Sequence, residues 1–305
     1  MAGTHFKGAV MFSSATPALQ NLNIGNWPDQ VHVIDDFDQH VFNAGAAAGN
    51  FWSVIAATNC VAAVPTLGND GSLNGVVNNT AAGAAGDGTL VQGNMNYATP
   101  QTRGDRLYFE CRTTLSGAVA ANAFAGAPNI FWGTAEQGAA VGSAFGAAIT
   151  SLVGFKMLAG AEQLTACIKS PSGAELQLTP TNPNLATLGT MAQNQFITLG
   201  FELTNSPATA ANNQVKSSSV TYYINRKPYA SCSSRTAGGV ASSQFVAGTQ
   251  SQAAVAYDAF PATNTAAERM GLTWDFGLTA AVANTLSHDY FMGSQDRGIT
   301  YAPTN

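Results

Sequence analysis

LYFECRTTL, residues 107–115, decides the fold. In an extended chain Leu107, Phe109, Cys111 and Thr113 fall on one side, and Tyr108, Glu110 and Arg112 on the other. Side chains alternate along a strand with a period of two, so this stretch predicts a strand buried on one face. Working outward, the same grammar recurs. VHVIDDF (31–37), NFWSVIAA (50–57), NIFWGTA (129–135), VGFKML (153–158), QLTACIKS (163–170), AELQLT (174–179) and FITLGFEL (196–203) read as strands. SVTYYINRKPYAS (219–231) reads as a hairpin with its tip at Asn225-Arg226-Lys227, and segments 268–281 and 286–295 add two more strands. Pro-Ser-Gly and Ala-Gly turn chemistry between alternating runs marks hairpins. No stretch reads as a helix of three turns capped at both ends. Many short strands at short intervals predict an all-β, antiparallel sandwich.

The remaining segments read as connections. Residues 66–89 are loop-rich with a short strand at VVNN, and residues 139–151 read as loop with room for a short helix. Residues 180–194 and 232–267 are long, polar and small, and such loops are usually functional or interface-forming. Residues 1–30 differ from the rest: polar and apolar residues mix without a period, with Pro17 and Pro28. They read as an extended N-terminal arm with short strand pieces, ahead of a single sandwich domain over 31–305.

Composition restricts the function. The chain has 305 residues, 46% of them hydrophobic, which is enough for a substantial core. Only 10% are charged, against about 25% in an ordinary soluble domain. Charge keeps monomers soluble, so a charge-poor chain suits a protein whose exterior is covered by partners; a secreted β-protein rich in Thr and Asn is the other reading. The net charge of −5 and the absence of a Lys/Arg cluster argue against nucleic acid. No run of 18 apolar residues predicts a membrane span. The opening residues lack a signal-peptide pattern and Met1 is present, as expected of an unprocessed product made in a cytoplasm. Cys60, Cys111, Cys167 and Cys232 have neither metal nor disulfide-framework spacing and read as buried or free thiols.

Catalytic patterns are missing. Glu110 and Glu202 stand singly, where a glycosidase needs two facing carboxylates; they read as solvent-face charges or partners of Arg112 or Arg106. Asp35, Asp36 and Asp38 read as an acidic strand start rather than a calcium loop. His5, His32, His40 and His288 are scattered without metal spacing, and His288 and Asp289 are expected on opposite faces of a strand. No G-x-S-x-G element occurs, and the Gly-rich 83–88 segment does not open a helix as a phosphate loop would. No cofactor or metal is predicted. Trp52, Trp132 and Trp274 lie in apolar strands and read as core, whereas Trp27, before Pro28, is a better contact for a partner.

Five stretches resemble the concanavalin A-like (jelly-roll) sandwich found in phage structural proteins: VIDDFD (33–38), RLYFECRTTLS (106–116), FITLGFELT (196–204), VTYYINRKPYAS (220–231) and GLTWDF (271–276). Thr4-His5-Phe6-Lys7-Gly8 resembles the opening of capsid-associated virion proteins of tailed phages. The resemblance implies a non-enzymatic capsid decoration (cement) protein that binds between capsomers on the virion surface. Its implied partners are the major capsid protein and further copies of itself, as trimers or dimers. The arm would supply the contacts, with Thr4, His5, Phe6, Lys7, Phe12 and Trp27 as candidates. The alternative is a lectin-like tail fibre or spike domain that binds a host glycan.

Overall fold

The structure is a computed structural model of the chain. It describes residues 10–11, 23–24, 30–35, 43–44, 52–63, 77–81, 83–97, 106–117, 119–120, 123–124, 128–136, 138, 140–146, 149, 151–169, 175–178, 187–206, 216–237, 240–246 and 270–296. These form a two-sheet sandwich. In spatial order the eight-stranded sheet runs Leu176–Leu178, Leu164–Lys169, Leu152–Met157, Asn129–Ala135, Met270–Gly277, Gly88–Tyr97, Trp52–Thr58 and Asn43–Ala44. The nine-stranded sheet runs Val240–Val246, Lys227–Ala237, Lys216–Ile224, Ile197–Ser206, Arg106–Ser116, Thr285–Asp296, Val77–Ala81 and Cys60–Ala63. Its ninth strand, Gln30–Asp35, also pairs with Thr285–Asp296. Pairing is antiparallel throughout both sheets except between Asn43–Ala44 and Trp52–Thr58. The all-β, antiparallel sandwich predicted from the period-two runs is therefore the fold. Within residues 1–30, Val10–Met11 pairs antiparallel with Asn23–Ile24.

The strand that decides the fold, Arg106–Ser116, lies in the interior of its sheet between Ile197–Ser206 and Thr285–Asp296. Leu107, Phe109, Cys111 and Leu115 enter the core, where Phe109 stacks on Phe201 at 5.2 Å. The opposing sheet contributes Trp52, Trp132, Phe155 and Trp274, all fully buried as the aromatic runs predict. Cys60, Cys111 and Cys167 are buried free thiols. Burial pushes the thiols of Cys111 and Cys167 well above the ordinary range, which leaves them unreactive.

Three strands longer than two residues escape the sequence reading. Cys60–Ala63 is short, and Gly88–Tyr97 begins and is interrupted by residues with turn character. Gly88 is there for close approach: a Cβ would stand 2.1 Å from the Phe276 carbonyl oxygen of the neighbouring strand. The segment expected as a loop over 232–267 instead continues the strand Lys227–Ala237 and returns as Val240–Val246. Its serines come in adjacent pairs, Ser233-Ser234 and Ser242-Ser243, and its apolar residues do not recur with a period of two, so no core face shows in the sequence.

The outer faces of both sheets are also partly covered. The described residues between 136 and 151 cover the outside of the eight-stranded sheet, with a second small core of Phe131, Ala135, Ala144, Ile149, Leu152 and Cys167. This strap is tied down by polar groups. The Asp275 carboxylate accepts the Gly142 and Ala144 N–H groups at 2.9 and 3.2 Å. Gln92 accepts the Gly138 N–H and donates to the Glu136 carbonyl, and Lys169 donates to the Ile149 carbonyl.

Candidate functional site

The candidate site lies on the outer face of the nine-stranded sheet, where the even-numbered residues of Arg106–Ser116 point. Glu110 was expected to be a solvent-face charge or a partner of Arg112 or Arg106; the structure corrects this. Glu110 is 2% exposed, covered by neighbouring tyrosines and by a hairpin turn. It accepts hydrogen bonds from Tyr108 Oη at 2.7 Å, Tyr290 Oη at 2.5 Å and Arg226 Nη2 at 3.1 Å. Gly200 is paired with Glu110 on the adjacent strand, and a Cβ there would stand 3.0 Å from the Phe109 carbonyl oxygen. Burial, and then the Glu110 charge, push the Tyr108 and Tyr290 hydroxyls well above their usual pKa, so both remain protonated donors.

Two local irregularities build the cluster. Asn225 and Arg226 form the two-residue hairpin turn with φ of 49° and 62°. That is the geometry a tight hairpin demands and Gly meets most easily. Asn225 tolerates it by accepting the Thr198 N–H through its side-chain oxygen at 2.9 Å. Arg226 tolerates it while reaching Glu110. The second irregularity is a bulge in Thr285–Asp296 between His288 and Tyr290. The extra residue lets Asp289 reach the outer face, where it pairs with Arg112, while Tyr290 turns to Glu110. His288 faces the core, so His288 and Asp289 lie on opposite faces as expected. Arg106 pairs with Glu202 at 3.4 Å, one of the pairings the sequence predicts.

Beside the cluster is a groove of about 400 Å³, lined in part by Thr190, Gln195, Phe196 and Asn225. The Arg112 guanidinium sits 4.2 Å over the Phe196 ring at its rim. Chemically the assembly is a set of paired charges and anchored donors around one carboxylate. Among the described residues no group of three or more His, Cys, Asp or Glu could hold a metal ion, and no helix is long and apolar enough to cross a membrane. Thr4, His5, Phe6, Lys7, Phe12 and Trp27, the contact residues expected in the arm, lie outside the described residues, as do Asp36 and Asp38. The cluster itself went unread because Tyr290, Arg226 and Glu110 are far apart in sequence; only the Tyr-x-Glu spacing of Tyr108 and Glu110 marked a shared face.

No model of a known protein family matches the chain, and no curated protein matches it. Solved structures do overlay on it. An endo-1,3-beta-glucanase from Streptomyces sioyaensis shares 12% identity over 89% of this chain and 98% of its own, with a TM-score of 0.44. Peanut lectin shares 9% over 87% and 97%, with a TM-score of 0.41. The CBM2 module of the evolved Dit of Lactobacillus casei BL23 phage J-1 shares 11% over 90% and 100%, with a TM-score of 0.42. Likeness of this strength assigns none of their activities to this chain.

Proposed function

We propose that the protein is a non-enzymatic structural component of a tailed-phage virion, decorating the capsid surface and stabilising it by binding between capsomers. The observation that carries this reading is how the sandwich treats its few charges. Arg106 pairs with Glu202, Arg112 with Asp289, Lys156 with Glu175 and Arg226 with Glu110, all within the chain. Among the described residues the exposed ones are mostly Ala, Thr, Gly and Asn, a surface better suited to being covered by neighbours than to keeping a monomer dispersed. The partners are the major capsid protein and further copies of the chain, as a trimer or dimer, with residues 1–30 as the attaching arm. The test is to mix purified protein with shells lacking it and count copies bound. Deleting residues 1–25 should abolish attachment while the sandwich keeps its far-UV spectrum and melting cooperativity; wild-type occupancy by the truncated chain defeats the reading.

A second reading has its own observation. The groove at Phe196, with the amides of Gln195 and Asn225 and the Arg112 guanidinium at its rim, has the aromatic and hydrogen-bonding groups that a host glycan would use in a fibre or spike domain. Saturable binding of a host polysaccharide that is lost in Phe196→Ala would favour it over capsid attachment. Turnover of that polysaccharide would instead show an enzyme.

A further inference from the structure

His288 is an anomaly in the core. It is fully buried, and neither Nδ1 nor Nε2 has a hydrogen-bond partner. Its ring lies 4.8 Å from Trp274 and 4.9 Å from Phe291, and Trp274 in turn contacts Trp52 at 4.7 Å. An imidazole in an aromatic cluster gives up its water without replacement, a penalty that a phenyl ring of similar shape avoids. The charged form is penalised far more.

Among the described residues, no acidic side chain is set against the imidazole. On the strand Met270–Gly277 the group facing His288 is Trp274; Asp275 points to the other side of that sheet, toward the strap. On Arg106–Ser116 its register partner is Thr113, whose hydroxyl donates to the Ser287 carbonyl, while Arg112 lies outside with Asp289. On the other flank its register partner is Val77. Burial alone lowers the imidazole to a pKa of about 3.

Its position gives the anomaly consequence. The strand Thr285–Asp296 has two partners along one edge: residues 285–288 pair with Val77–Ala81, and residues 291–296 pair with Gln30–Asp35. His288 and the bulge after it stand at the handover. Gln30–Asp35 is the strand that joins the sandwich to the first 30 residues.

We propose that His288 is an acid-sensing residue whose protonation opens the core at this handover and loosens the strand that carries the N-terminal arm. The link to attachment rests on the decoration reading above, whereas the acid response of the isolated protein does not. The sign follows from linkage. The folded state holds the imidazole neutral, so stability is complete above the unfolded pKa near 6.5 and declines as pH falls from there toward 3. At pH 4.5, two units below that unfolded value, the unfolding equilibrium constant rises roughly 100-fold through this one group.

The experiment compares urea unfolding of the full chain and of His288→Phe at pH 7.5 and 4.5, followed by tryptophan fluorescence. The expected result is that the variant's unfolding constant at pH 4.5, relative to pH 7.5, is lower than the wild type's relative value by a factor of order 100. Equal pH dependence in the two proteins overturns the proposal. If His288→Phe does not fold, NMR titration of the wild-type imidazole decides. A ring that stays neutral until the fold is lost supports the proposal, and one that titrates near 6.5 within an intact fold overturns it. Loss of shell attachment in the truncated chain bears only on the arm, so the two readings fail separately.

Discussion

Glu110 shows how much one buried carboxylate can organise. It receives two phenol hydroxyls and a guanidinium, from three elements that are far apart in the chain. Removing one partner of a buried charged group leaves the rest desolvated and unpaired. Glu110→Ala should therefore lower the unfolding free energy by about 2 kcal/mol, below the usual range for fully buried pairs because the Arg226 side chain is 44% exposed. Tyr290→Phe, which deletes one charge-assisted hydrogen bond, should cost about 1.5 kcal/mol. The double variant should cost clearly less than the sum, since both changes remove the same bond. Urea midpoints at pH 7.5 measure all three, and strict additivity would mean that the bond contributes nothing. Arg226 offers a complementary test. Its φ of 62° disfavours any side chain, so Arg226→Gly should be more stable than Arg226→Ala by about 1 kcal/mol, both having lost the ion pair.

At the scale of elements, the strap held through Gly142 and Ala144 responds to pH. Burial raises Asp275 to a pKa of about 6, opposed by the Gly142 and Ala144 N–H groups and by the charge of Lys156. Lys156 is itself paired with Glu175. A raised carboxylate favours the closed strap when protonated, so closure is strongest at low pH and weakens as pH rises through about 6. Amide exchange at Gly142 and Ala144, corrected for intrinsic rates, should show roughly tenfold less opening at pH 5 than at pH 7, and Asp275→Asn should remove that difference. The strap also marks where sequence reading stopped. Strands with large residues on one face, such as Asn129–Ala135 and Met270–Gly277, announce themselves because burial needs the period of two. The outer core did not, because Phe131 and Ile149 look like ordinary members of an apolar strand and a small-residue loop. Val240–Val246 escaped for the opposite reason: its sequence has serines where a buried face would need larger groups. The Glu110 cluster depends on a bulge and a two-residue turn, and each is a register feature that no local pattern encodes.

For the whole molecule, the two titrating groups oppose each other. Between about pH 6 and 4, acidification stabilises through Asp275 and destabilises through His288. Together these two groups give a flatter acid dependence than either alone, and His288→Phe should be more stable, relative to the wild type, on mild acidification. Charge pairing acts at the same scale. Only 10% of the residues are charged, and among the described residues Arg106, Arg112, Lys156 and Arg226 are each paired with a carboxylate, so these four are not free to steer a partner. Salt screens exposed charges beyond roughly 10 Å at 0.1 M, so attachment driven by complementary charge weakens steeply with ionic strength. Attachment through backbone pairing and buried neutral surface does not. If this protein decorates a shell as proposed, its apparent affinity for that shell should change by less than about threefold between 0.05 and 1 M NaCl. The measurement is occupancy on sedimented particles across a protein titration at each salt. A fall of tenfold or more would show that charge carries the contact, and would move the docking surface to the half-exposed arginines Arg106, Arg112 and Arg226. Substituting those three singly would then identify which one meets the partner.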